Sequence, residues 1–78
     1  MIELYYSQTC PYCQKVLSFF KENDIDFKAK DVSDPINYAE LIKIGKIAQV
    51  PFLFDREKNE KMYESDIIID YVSRNYKK

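Results

Sequence analysis

Residues 2–32 read IELYYSQTCPYCQKVLSFFKENDIDFKAKDV, and their pattern indicates the architecture of the chain. Residues 2–6 are mostly β-branched, aromatic or aliphatic and predict a strand. Pro11 suits the first position of a helix, because it lacks an N–H and its φ is fixed near the helical value. Residues 25–32 alternate apolar and polar and predict a second strand. Strand, helix and strand in this order predict two parallel strands joined by a right-handed crossover.

The first helix shows an amphipathic spacing and ends near Asn23. One face carries apolar residues in the i, i+3, i+4, i+7 pattern: Cys13, Val16, Leu17 and Phe20. Asp34-Pro35 is a cap and first-turn signal for a second helix, which we expect to end at Gly45. Its inner side is predicted to carry Tyr38, Leu41 and Ile42.

The last third of the chain predicts a hairpin followed by a helix. Residues 51–54 form a short buried strand, 55–61 a charged turn, and 61–63 an edge strand. Ser65 is the expected N-cap of the final helix, with Asp66 near its positive end. The predicted fold class is α/β with the order β-α-β-α-β-β-α, in which a four-stranded mixed sheet carries helices on both faces. We expect residues 1–78 to form a single domain.

Composition excludes several classes of function. The net charge of −1 argues against nucleic-acid binding, and no apolar stretch of about 18 residues exists to span a membrane. With two Cys and no His, the chain lacks the ligands of an ordinary metal site. The N-terminus lacks the pattern of a signal peptide, so we expect a cytoplasmic protein. We also expect a monomer, and we expect no permanently bound cofactor.

The run Cys10-Pro11-Tyr12-Cys13 has the spacing of a redox-active thiol pair. Cys10 falls at the N-cap of the first helix, where the amides of Tyr12 and Cys13 and the helix dipole favour its thiolate. Cys13 lies one turn inside and should keep its proton. We therefore expect Cys10 to attack disulfides and Cys13 to release the product, while Pro11 stiffens the loop and Tyr12 forms a flat wall. The alternative, two buried core cysteines, fits Cys13 but not Cys10, which precedes the helix.

Three signatures resemble those of glutaredoxins, members of the thioredoxin-like superfamily. Cys10-Pro11-Tyr12-Cys13 is typical of the dithiol type, Gln49-Val50-Pro51 resembles the second signature, and Glu64-Ser65-Asp66 resembles the third. The resemblance covers essentially the whole chain. It implies a thioredoxin-like (glutaredoxin) fold and glutathione as reducing co-substrate.

The resemblance also implies a role for the second and third signatures. It implies that the peptide bond before Pro51 is cis and that Pro51 faces the reactive sulfur. Only about 5% of peptide bonds before proline are cis in folded proteins, so the sequence without the resemblance predicts a trans bond. Val50 would then pair through its backbone with glutathione. The free amides at Ser65 and Asp66 would take the γ-glutamyl carboxylate, and Asp66 or Glu64 its ammonium. Without the resemblance, Pro51 simply opens a strand and Ser65 is an ordinary cap.

Some residues depart from the glutaredoxin pattern. Ser7, Gln8 and Thr9 replace the usual basic residue before the first Cys, and Met62-Tyr63 replaces a Gly-Gly pair. Glu64-Ser65 is closer to the corresponding turn of glutathione transferases and their glutaredoxin relatives, but we expect no full transferase because no helical second domain follows. The contact to the glycine carboxylate of glutathione is left open among four residues: Gln8, Lys15, Lys46 and Gln49.

The resemblance implies an enzyme that reduces protein disulfides and glutathione mixed disulfides. Its partners would be glutathione and disulfide-containing or glutathionylated proteins, of which ribonucleotide reductase is one candidate. Two alternatives stay open at this point. One is a thioredoxin-like electron donor recharged by a flavoprotein disulfide reductase, and the other is a glutathione or iron–sulfur-cluster binding module.

Overall fold

A computed structural model describes residues 1–77 of the chain. It contains four strands and three helices in the predicted order. The strands are β1 (Ile2–Tyr6), β2 (Phe27–Asp31), β3 (Phe52–Asp55) and β4 (Glu60–Tyr63). The helices are α1 (Pro11–Glu22), α2 (Pro35–Gly45) and α3 (Ser65–Asn75).

The strands form one mixed sheet in the order β2-β1-β3-β4. β1 runs parallel to β2, with Leu4 opposite Ala29, and antiparallel to β3, with Leu4 opposite Leu53. β4 pairs antiparallel with β3, so the hairpin predicted from residues 51–63 is confirmed. The central position of β1 and β3 explains why both are almost entirely buried.

The two faces of the sheet carry separate apolar clusters, as the alternation of side chains along a strand requires. Helices α1 and α3 cover one face through Val16, Phe20, Ile68 and Val72, which pack on Ile2, Leu4 and Leu53 of the sheet. Helix α2 covers the other face, where Leu41 packs with Tyr5, Phe52 and Phe54. Helices therefore lie on both faces, as predicted.

The predicted inner side of α2 is wrong in part. Leu41 is 1% exposed, but Tyr38 and Ile42 are 47% and 36% exposed. The helix instead turns Glu40 towards the sheet, where its carboxylate accepts hydrogen bonds from Lys30 and from the Tyr5 hydroxyl. This polar contact orients the helix, and the apolar pattern of the sequence does not show it.

Gly45 is the last residue of α2 and not the left-handed residue after it. Lys46 takes that position, with φ 72°, and its N–H donates to the carbonyl of Ile42. A Cβ on Gly45 would lie 2.2 Å from the hydroxyl oxygen of Tyr63 and 3.2 Å from the ring of Phe52. The glycine therefore permits close packing of α2 on β3 and β4.

Ser65 is not the N-cap of α3. It is the first helical residue and is buried, while Glu64 is the N-cap, with φ 73° and ψ 129°. The carbonyl of Glu64 accepts the first helical hydrogen bond from Ile68. A left-handed turn at Glu64 places Ser65 inside, and an ordinary serine cap would leave it at the surface.

Strand boundaries differ slightly from the prediction. β2 begins at Phe27, because the N–H of Ile25 donates to the carbonyl of Phe20 and closes the end of α1. β3 begins at Phe52, after the proline. No helix within residues 1–77 is long and apolar enough to cross a membrane.

Candidate active site

Cys10 is the N-cap of α1 and lies at the end of the loop that follows β1. Its backbone is extended, with φ −91° and ψ 115°, and Pro11 occupies the first turn. The amide of Cys13 donates a hydrogen bond to the Cys10 sulfur over 3.2 Å. Within residues 1–77 the amide of Tyr12 makes no such bond, although the sequence suggested one. One amide and the positive end of the helix therefore stabilise negative charge on this half-buried sulfur.

Cys13 lies one turn into α1 and is completely buried. Burial raises the pKa of its thiol to about 12, and the hydrogen bond with Cys10 acts in the same direction. Both cysteines are free thiols in this structure. The two sulfurs therefore differ in environment, since only Cys10 is partly open to solvent.

The loop before β3 lies against the Cys10 sulfur. The peptide bond between Val50 and Pro51 is cis, which confirms what the resemblance to glutaredoxins implies. The Cys10 thiol points at the carbonyl oxygen of Val50, 4.0 Å away. Within residues 1–77 the N–H of Val50 has no hydrogen-bond acceptor, so the residue whose carbonyl faces the sulfur also carries a free backbone donor.

A pocket of about 340 Å³ opens next to this loop. Its walls come from α1, the loop before β3 and the start of α3. The residues that line it are Tyr12, Gln49, Val50, Pro51, Glu64, Ser65 and Asp66. The structure thus brings together all seven residues that the sequence assigned to a glutathione site.

The start of α3 forms the far wall of the pocket. The amides of its first turn are free of helical partners, as at any helix N-terminus, and create an anion-binding environment. Glu64 and Asp66 place two carboxylates at the same wall. Glu64 is an exposed non-glycine residue at positive φ, an uncommon and strained conformation that often occurs at ligand sites.

Lys15 of α1 reaches across to this wall. Its ammonium donates to a carboxylate oxygen of Asp66 over 2.7 Å and ties α1 to α3. The side chains are 56% and 83% exposed, so the pair lies in a solvated position. The sequence could not show this contact, because 51 residues separate its two members and only the packing of α1 on α3 joins them.

Two of the four residues considered for the glycine carboxylate of glutathione have polar partners. The Gln8 amide nitrogen donates to Asp31, and Lys15 pairs with Asp66. Gln49 lines the pocket, whereas Lys46 lies outside its lining in the turn after α2. Geometry therefore favours Gln49 among the four. Within residues 1–77, no three His, Cys, Asp or Glu side chains cluster in a way that would hold a metal ion.

Comparison with known proteins identifies the family. A family model described as the N-terminal domain of glutathione S-transferase matches residues 4–78. The chain belongs to this family. The match is consistent with the resemblance of the Glu64-Ser65 turn to that of glutathione transferases and their glutaredoxin relatives.

Individual relatives include a glutaredoxin-like protein and solved structures of the same fold. A protein of Clostridium pasteurianum, described as an uncharacterized glutaredoxin-like 8.6 kDa protein in the rubredoxin operon, is 33% identical over 54 residues, which is 68% of this chain and 72% of that protein. The apo form of human glutathione-S-transferase T1-1 is 30% identical with a TM-score of 0.81 over 97% of this chain. A thioredoxin-like protein is 23% identical, with a TM-score of 0.79 over 95% of this chain and 97% of its own.

These likenesses establish the fold and support a redox or glutathione-related role. The chain covers 32% of the human transferase, so it spans about a third of the length of that protein. The third relative shows the fold alone, and it confirms the predicted thioredoxin-like arrangement of the sheet and helices. The particular reaction is a separate question, which the geometry of the pocket addresses.

Proposed function

We propose that this chain is a glutathione-dependent thiol–disulfide oxidoreductase of the dithiol glutaredoxin type. The observation that carries the proposal is the position of the Cys10 sulfur. It accepts a hydrogen bond from the amide of Cys13 and lies beside a pocket with a free Val50 amide on one side and a helix N-terminus on the other. A reactive sulfur and a site for a small anionic thiol peptide therefore share one surface.

Glutathione fits this pocket through its backbone and its two charged ends. The free N–H and the carbonyl of Val50 would pair with the cysteinyl residue of glutathione in the manner of an added strand. The amides of Ser65 and Asp66 would bind the γ-glutamyl carboxylate, and Glu64 or Asp66 its ammonium. Gln49 would donate to the glycine carboxylate, and the exposed ring of Tyr12 would cover the ligand.

The reaction on a glutathionylated protein needs Cys10 alone. Its thiolate attacks the glutathione sulfur, the S–S bond breaks, and the protein thiolate leaves and takes a proton. The product is a mixed disulfide between Cys10 and glutathione. A second glutathione thiolate attacks the bound glutathione sulfur, so that oxidised glutathione departs and the Cys10 thiolate returns.

The reaction on a protein disulfide needs both cysteines. Cys10 first forms a mixed disulfide with the substrate protein and releases one of its thiols. Cys13 then loses its proton and attacks the Cys10 sulfur, which releases the second substrate thiol and leaves a Cys10–Cys13 disulfide. Two glutathione molecules reduce this disulfide and leave as oxidised glutathione. No permanently bound cofactor takes part in either cycle.

A coupled assay tests the proposal. Glutathione, glutathione reductase and NADPH are supplied together with either a glutathionylated peptide or a protein disulfide, and NADPH consumption is followed for the wild type, Cys10→Ser and Cys13→Ser. We expect Cys10→Ser to abolish both activities. Cys13→Ser should retain peptide deglutathionylation and lose most protein-disulfide reduction. Full activity of Cys10→Ser, or turnover only with a flavoprotein thioredoxin-type reductase, would contradict the proposal.

A further inference from the structure

The ion pair between Lys15 and Asp66 lies where the proposed ligand would place a cation of its own. Asp66 lines the pocket, and its carboxylate oxygen is 2.7 Å from the Lys15 ammonium. The α-ammonium of a γ-glutamyl group carries the same charge and makes the same type of hydrogen bond. Lys15 and the ammonium of an incoming ligand therefore have the same partner, the carboxylate of Asp66.

We propose that Lys15 competes with the γ-glutamyl ammonium for Asp66 and so limits the affinity of the pocket for glutathione. This inference depends on the proposed glutathione-coupled function and identifies a specificity-determining residue for it. Lys15 is a residue of α1 outside the pocket lining, and it acts on the ligand first through its pairing with Asp66.

The exposure of the pair makes such competition feasible. Both side chains are more than half exposed, and an ion pair in that setting contributes little net free energy, which a ligand can displace. Displaced Lys15 would still remain close to the ligand ammonium, and two like charges near each other oppose binding. Loss of the Lys15 charge should therefore strengthen binding of any ligand that carries the ammonium.

Glu64 supplies the second carboxylate at this wall and explains why the pocket can still accept glutathione. It is exposed, and within residues 1–77 its side chain makes neither an ion pair nor a hydrogen bond to the helix it caps. The ligand ammonium can therefore use Glu64 while Lys15 occupies Asp66. The expected role of Lys15 is to reduce affinity and not to prevent binding.

The test compares Lys15→Met with the wild type on two substrates. One is a glutathionylated peptide. The other is the same peptide joined to a glutathione analogue in which hydrogen replaces the α-amino group. We expect Lys15→Met to lower the KM for the first substrate about two- to fivefold, with little change for the second. Lys21→Met is the matched control, an exposed lysine of the same helix, and should change neither value.

A double-variant cycle separates competition from a structural role. With Asp66→Asn in the background, Lys15→Met should lower the KM less than it does in the wild type, because the shared partner is gone and only repulsion between Lys15 and the ligand ammonium is left. Lys15→Gln repeats the charge loss if the methionine variant folds poorly. A KM that rises or stays constant in Lys15→Met, or that falls equally for both substrates, would overturn this inference alone. Absence of glutathione-dependent turnover by the wild type would overturn the proposed function as well.

Discussion

Two cysteines three residues apart occupy different electrostatic environments in this chain. The Cys13 amide donates to the Cys10 sulfur, whereas the Cys13 side chain is completely buried. Burial raises the pKa of Cys13 to about 12, so this thiol stays protonated throughout the neutral range. A buried protonated thiol is a poor nucleophile towards reagents in solution, since the thiolate is the reactive species.

Alkylation should therefore distinguish the two cysteines. We expect iodoacetamide at pH 7.5 to modify Cys10 at least about tenfold faster than Cys13, as peptide mapping of partially labelled protein would show. In Cys10→Ser the remaining Cys13 should stay slow and should react faster only as pH rises towards its raised pKa. Preferential labelling of Cys13 in the wild type would contradict the assigned roles.

Glu64 combines backbone strain with a carboxylate at the pocket. A residue with a Cβ at φ 73° and ψ 129° is disfavoured, and glycine adopts positive φ freely. Glu64→Gly should therefore be more stable than Glu64→Ala by about 1 kcal/mol in urea unfolding. Both variants lack the carboxylate and should raise the KM for the glutathionylated peptide to a similar extent. Equal stability of the two variants would show that the backbone at this position is not strained.

At the scale of elements, a buried carboxylate ties the end of β3 to α3. Asp55 is completely buried and accepts hydrogen bonds from the hydroxyls of Tyr71 and Tyr76 and from the amide of Lys58. Burial raises its pKa, but these hydrogen bonds and the nearby Lys58 charge outweigh burial and leave the pKa below the usual value. The same contact raises the pKa of Tyr76 to about 12, with burial as the larger cause.

The lowered pKa of Asp55 makes stability depend on pH. The ionised carboxylate stabilises the fold above the ordinary value of 3.8, and this contribution is lost as pH falls through the lower value of the folded state. Asp55→Asn should cost about 1–3 kcal/mol in urea unfolding at pH 7, and the difference from the wild type should shrink below pH 3.8. Asp70→Asn, at an exposed ion pair, should change stability little. A pH-independent cost of Asp55→Asn would contradict this account.

Local sequence patterns predict the helices and strands, but they do not predict the contacts between these elements. Pro11 and Asp34-Pro35 mark the starts of two helices, and residues 2–6 carry enough strand-forming residues to indicate β1. Two of the four residues with positive φ, Lys46 and Glu64, lie directly beside Gly45, where α2 ends as predicted, and Ser65, the predicted helix cap. Packing against β4 holds Gly45 inside the helix, and such a tertiary constraint overrides a local preference.

For the molecule as a whole, the fold brings three distant segments to one pocket. The seven residues assigned to glutathione from the three motifs line it, because β1, β3 and α3 place their neighbouring loops at the same edge of the sheet, while Cys10, Pro11 and Cys13 lie outside the lining. The ion pair between Lys15 and Asp66 could not be predicted, since it depends on how α1 and α3 pack. Motif spacing therefore predicts which residues line the pocket, and tertiary packing sets the charge balance within it.

The central claim is that Cys10 attacks the sulfur of a glutathione held in this pocket. Cys13→Ser stops the second thiol from resolving the intermediate, so incubation with a glutathionylated peptide and no free glutathione should trap the first product. We expect intact-mass and peptide-mapping spectrometry to find glutathione attached to Cys10 and an equal amount of free peptide thiol. Attachment of the peptide in place of glutathione, or no adduct at Cys10, would contradict the claim.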